Sequence, residues 1–174
     1  MNKLKIKLFI GAFAALLILP STTHAYFTTE QSVVKITDDT VLFTVTYSFG
    51  IPGRELYMPI GAIRSNNGQT PSPYLEYNII GDKETTFTAG TAGSLVFTND
   101  KDVEIRNNQY YLPASESADF TLVSLVTIPK ESQTQNLSLL VTSLPFTMVV
   151  DGNSYNNNLN PSELQYYRTP EAKF

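Results

Sequence analysis

The chain has 174 residues, of which 42% are apolar, 11% aromatic and only 16% charged, with ten Tyr, ten Phe, ten Pro, nine Gly, one His and neither Cys nor Trp. That outline is globular and rich in strands and turns. Without thiols there are no disulfides, cysteine nucleophiles or thiolate metal sites, and a formal net charge of −4 has the wrong sign for a phosphate-backbone binder.

Lys3, Lys5 and Lys7 precede an uncharged apolar run from Leu8 to Leu19, which Pro20 breaks. Thr23-His24-Ala25 then places small residues at the two positions a signal peptidase reads. This is the pattern of a secretory signal, with cleavage expected after Ala25. The run is 12 residues long, shorter than the roughly 20 a spanning helix needs; an uncleaved N-terminal anchor is the alternative.

Cleavage leaves Tyr26–Phe174, which is 174 less 25, or 149 residues, as one domain. Three of twelve basic residues go with the signal, so nine remain against sixteen acids and the formal net charge becomes −7. The lone His24 goes too. The exported form then has no imidazole or thiol for a Ser-His-Asp triad, a histidine proton shuttle or a Cys/His zinc site. The expected location is secreted or extracytoplasmic, with no nucleic-acid partner and membrane contact only during export.

In chain order, Ser32–Thr37 is β-branched and ends at a turn, Asp38-Asp39. From Val41 to Phe49 apolar and small polar residues alternate strictly, the signature of a half-buried strand. Gly50–Gly53 interrupts it, and Arg54–Ile63 reads as extended, with Pro59 placing it at a sheet edge. A loop at Asn66–Pro73, a strand at Tyr74–Ile80 and a Thr/Gly/Ala stretch from Thr85 to Gly93 come next.

Short extended pieces follow at Ser94–Thr98, Val103–Ile105 and Gln109–Leu112, the last two separated by Asn107-Asn108. Phe120–Ile128 is apolar on both faces in its middle, which predicts a central strand covered on both sides. Leu137–Val150 supplies one or two strands bent at Pro145, and an Asn-rich tail begins at about Asp151. Asn160-Pro161-Ser162-Glu163 carries the cap and proline of one helical turn. The expected fold is all-β: an antiparallel two-sheet sandwich, Ig-like or jelly-roll-like, preceded by a cleaved signal helix.

Few constellations carry chemistry. Asp100, Asp102 and Glu104 offer oxygens at alternate positions, as a hard cation requires, but Ile105 stands where a calcium loop needs Gly. A turn entering an exposed strand is the preferred reading of them, so no metal, cofactor or catalytic residue is expected. Sugar sites are walled by aromatics, and the pairs Tyr110-Tyr111 and Tyr166-Tyr167 are the candidates for ligand contact. Core packing or sheet-surface pairing is the reading preferred for these tyrosines.

Tyr26-Phe27-Thr28-Thr29-Glu30 resembles the mature start of a type IV pilin, although a pilin carries its apolar helix after this point and here the apolar run precedes it. The same segment resembles the mature start of camelysin-type biofilm-matrix proteins, and Thr86-Phe87-Thr88-Ala89-Gly90-Thr91 echoes a second motif of that family, more than fifty residues away here rather than close by. This resemblance implies an extracellular structural role. The reading is a non-enzymatic protein acting by contact (adhesion, assembly or matrix structure), with an unknown protein or glycan partner and self-association through the Arg54–Ile63 edge. The alternatives are a carbohydrate- or ligand-binding module using the tyrosines and, behind it, a hydrolase working with carboxylates alone.

Overall fold

A computed structural model describes residues 29–65, 73–114, 116–132, 135–159 and 161–174. The expected signal segment, 1–25, lies outside the described residues, as does most of the Asn66–Pro73 loop.

The described residues are overwhelmingly strand, and every strand pairing but one is antiparallel. β1 (Thr29–Lys35) turns through Asp38-Asp39 into β2 (Thr40–Phe49). Asp39 holds that turn by accepting hydrogen bonds from the hydroxyls of Thr37 (2.6 Å) and Thr40 (3.0 Å), which lower its carboxyl pKa. β2 joins β9 (Ala118–Thr127), and β9 joins β6 (Thr91–Phe97), completing a four-stranded sheet ordered β1-β2-β9-β6. The alternation read in Val41–Phe49 appears as strict inward burial of Val41, Phe43, Val45, Tyr47 and Phe49.

Where one opposing layer was expected, hydrogen bonding divides the rest into two further sheets. β4 (Ala62–Arg64), β5 (Leu75–Ile80), β10 (Asn136–Ser143) and β13 (Ala172–Lys173) are ordered β13-β10-β5-β4, with β4 parallel to β5. β3 (Glu55–Pro59), β7 (Glu104–Arg106), β8 (Gln109–Leu112), β11 (Pro145–Val150) and β12 (Asn153–Asn158) make the third, ordered β12-β11-β3-β8-β7. Only Leu144 separates β10 from β11, so Pro145 marks where one long strand leaves one sheet and enters the next, as anticipated. α1 (Pro161–Leu164) is the expected single turn.

One apolar cluster joins the three sheets: Phe43, Tyr47 and Phe120 from the first, Tyr77, Ile79 and Leu139 from the second, Leu56, Met58 and Leu112 from the third. Ser124 is fully buried in the middle of β9 and its hydroxyl donates to Tyr77 Oη at 3.0 Å, so a polar tie spans the first and second sheets.

Three expectations are corrected. β9 is central, but only its inward face is buried; its outward residues Leu125 and Thr127 are exposed, because among the described residues no layer lies over that side. The Arg54–Ile63 segment divides: β3 sits between β11 and β8 and is not an edge, Pro59 ends that strand where its missing N–H costs least, and only Ala62 and Ile63 reach an edge position. They open the short edge strand β4. The Asn-rich tail is not a tail either. Asp151 and Gly152 have φ of 50° and 76° and form a two-residue turn that pairs β11 with β12. Asn107 and Asn108, at φ 50° and 61°, make the matching turn between β7 and β8.

Candidate functional site

Of the readings open for the tyrosine pairs, core packing is the one the structure shows for Tyr110 and Tyr167. Tyr110 packs on Phe120 at 5.5 Å between ring centroids, Phe120 stacks on Tyr47 at 5.9 Å, and Tyr47 lies 5.8 Å from Tyr167. The two tyrosine pairs are thus the ends of an aromatic ladder running through the core from β8 to the segment after α1. Tyr167 is buried, Tyr110 spends its hydroxyl on the Val96 carbonyl (3.0 Å), and burial raises the pKa of Tyr47, Tyr110 and Tyr167. Among the four, Tyr166 alone is well exposed, at 67%, and its carbonyl accepts from the Gln31 side chain at 2.8 Å. Tyr111 is covered by the Arg106 guanidinium, 3.5 Å over its ring, and that cation is held by Glu104 at 2.8 Å.

The oxygen-rich segment does not form a cation cage. Asp100 Oδ1 accepts from the Asp102 backbone N–H at 3.0 Å, closing a turn, while Glu104 is turned to Arg106. Among the described residues no three Asp, Glu, His or Cys side chains group as metal ligands do.

A different surface is concave. An open groove of about 790 Å³ runs between the end of β5, the β10–β11 bend and β12, lined by Glu76, Gln109, Thr147, Asn156, Asn157 and Asn158 among others. Its floor is set by side chains that hold one another. Asn158 Oδ1 accepts from the Leu144 N–H at 2.9 Å while its Nδ2 donates to Ser143 Oγ at 2.8 Å, fixing the strand bend. Thr147 Oγ1 donates to Asn156 Oδ1 at 2.9 Å, a bond that uses the amide oxygen of this exposed residue and not its N–H donors. Asn157 donates to the Tyr155 carbonyl at 2.9 Å, leaving its Oδ1 as an acceptor. Glu76 is the one carboxylate among the groove's described residues.

Strand register extends this polar floor across the third sheet. Asn156 is opposite Thr147, Thr147 opposite Tyr57, Tyr57 opposite Tyr111 and Tyr111 opposite Glu104, so one transverse row carries an amide, a hydroxyl, two phenol rings and a carboxylate. The Tyr57 and Tyr111 rings lie 5.2 Å apart. Sequence reasoning missed this row because it treated Asn153–Asn158 as loop. The Asp-Gly pair flanked by extended segments was the signal that would have found it.

No protein-family model matches the sequence, and no curated protein is significantly similar to it. Among solved structures, the yeast GGA1 GAE domain–P21 crystal structure aligns with 78% of this chain and 88% of its own, at 7% identity and a TM-score of 0.31. The truncated trimeric ectodomain of the C. elegans fusion protein EFF-1 aligns with 78% of this chain and 37% of its own, at 7% identity and a TM-score of 0.13. At these values the likeness carries no functional argument.

Proposed function

We propose that this chain is an exported, non-enzymatic β-sandwich module that works by contact, and that its contact surface is the groove of β5, β11 and β12 receiving a neutral glycan. The carrying observation is the groove's lining: side-chain amides at Gln109, Asn156 and Asn157 and a single acid in about 790 Å³, a size in the range of roughly 300–1,000 Å³ typical of ligand sites. An amide offers donor and acceptor on one rigid plane, which matches vicinal sugar hydroxyls, and a site with little formal charge favours an uncharged ligand. Tyr57, next to Thr147 in the same row, supplies the partly exposed ring against which a pyranose face packs.

Export is supported by the Lys3–Ala25 pattern. The hydrolase reading loses ground because two facing carboxyl groups are required and the groove supplies Glu76 alone.

Calorimetry with a panel of neutral oligosaccharides tests the proposal. We expect at least one to bind, and Gln109→Ala and Asn156→Ala each to weaken it by about tenfold or more, the equivalent of one or two lost hydrogen bonds. Failure of every neutral glycan to bind at millimolar concentration removes the reading, as does binding that ignores both substitutions.

A further inference from the structure

Among the described residues no layer lies over the outward face of the four-stranded sheet, and its composition is unlike that of a solvated strand surface. Register defines its rows. Val34, Leu42, Leu125 and Gly93 lie side by side across β1, β2, β9 and β6; the next row is Ser32, Thr44, Val123 and Leu95; the one beyond is Glu30, Thr46, Thr121 and Phe97. Val34, Leu95 and Leu125 are 50%, 51% and 45% exposed, and Ile36, just past β1, is 54% exposed. Besides Gly93 and Phe97, the residues between the aliphatic side chains are Thr and Ser; the charges on this face, Glu30 and Asp119, are confined to one end.

We propose that this face is a homodimer interface, packed against the same face of a second copy of this chain. Area is the first argument. The four strands have seven, ten, ten and seven residues, and at about 3.4 Å per residue and 4.8 Å spacing they give a footprint of roughly 550 Å², about two-thirds of the roughly 800 Å² per partner of a standard stable interface.

Low desolvation cost is the second. Thr40 gives its proton to Asp39 and accepts from Thr127 at 3.3 Å, so both donors of that pair are spent; Thr46 and Thr121 share one hydrogen bond at 3.0 Å, which leaves a single hydroxyl proton for an acceptor on the mate. Shape is the third: at Gly93 a methyl group would meet nothing within 4 Å, which leaves a dimple beside the protruding Leu125 and Leu95. A copy turned end for end offers a protruding leucine to each dimple.

Charge fixes which two-fold is used. An axis in the interface plane and perpendicular to the strands sends the Glu30–Asp119 end of one copy to the far end from its mate, whereas an axis along the strands would bring four carboxylates together. The paired strands therefore run with opposite polarity across the interface. This surface is separate from the groove, so glycan recognition and self-association stand or fall independently.

Sedimentation velocity on the purified protein, from micromolar to a few hundred micromolar, is the test. The expected result is a reversible dimer that Leu125→Asp combined with Leu95→Asp converts to monomer, with the near-ultraviolet circular dichroism unchanged. Gly93→Leu, which fills the dimple without a strained backbone, should weaken the dimer by about tenfold. It provides the deciding variant if the double substitution fails to fold. Ile105→Asp, an exposed apolar position on the third sheet, should leave the dimer intact. A wild-type protein that stays monomeric throughout overturns the proposal, and so does a dimer insensitive to Gly93→Leu or one broken by Ile105→Asp.

Discussion

The sheet β1-β2-β9-β6 and the sheet β12-β11-β3-β8-β7 obey the same inward rule and differ in what they turn outward. Both place alternate large apolar residues in the common cluster: Tyr47 and Phe120 from the first, Leu56, Met58 and Leu112 from the second. Outward, the first shows aliphatic side chains set among self-paired threonines, and the second shows amides, Tyr57 and a Tyr111 ring capped by Arg106. Burial alone made the inward sets interchangeable in kind. The outward sets are free of that constraint, so any division of labour between the two surfaces has to be carried there.

The comparison assumes that the two sheets share one interior, and the largest expected effect tests this. Phe120 bridges Tyr47 of its own sheet and Tyr110 of the other. Phe120→Ala should cost about 3–5 kcal/mol, with both sheets unfolding in a single transition followed by tyrosine absorbance and far-ultraviolet circular dichroism. Two separated transitions would break the comparison into two independent units.

A second prediction concerns alkali. Burial raises the pKa of Tyr47, Tyr110 and Tyr167, groups drawn from both sides of the ladder. A phenol whose folded pKa lies above its unfolded value contributes stability that is fully present below about pH 10 and is lost as pH rises beyond it. His24, the chain's sole imidazole, lies outside the described residues, so for the described fold the thermal midpoint should be level from about pH 6 to pH 9 and fall above about pH 10. A midpoint that does not fall by pH 11 would show that these rings are not buried.

The smallest effect should have the opposite sign. Tyr47 Oη is buried with no hydrogen-bond partner among the described residues, although its ring is part of the ladder. Tyr47→Phe keeps the ring and removes the stranded hydroxyl, and should stabilise the protein by up to about 1 kcal/mol in urea unfolding. Destabilisation instead would reveal a partner for that hydroxyl and a more polar ladder than described.

Much of the fold was legible. The alternation of Val41–Phe49, the Asp38-Asp39 turn, the bend at Pro145 and the single helical turn at Pro161–Leu164 all reflect local steric and hydropathic rules that operate within a few residues. The errors arose where a local pattern has two tertiary outcomes. The run Leu122-Val123-Ser124-Leu125-Val126 looked covered on both faces, yet outward leucine and valine meet no layer here. Pro59 was read as an edge marker and instead ends an interior strand. The tyrosine pairs were legible as aromatic contact residues, but their side was not; three of the four turn inward or lie under Arg106.

What this sequence determined by itself was chemistry by composition and strand by alternation: a Cys-free chain whose His24 lies in the expected signal, and the inward row of β2. Only the tertiary structure decided which strands are neighbours, and with that the groove beside Asn156 and the uncovered face around Leu125. The reason is physical. Side-chain direction along a strand repeats every two residues and is a local property, whereas sheet order depends on distant segments competing for the same backbone hydrogen bonds.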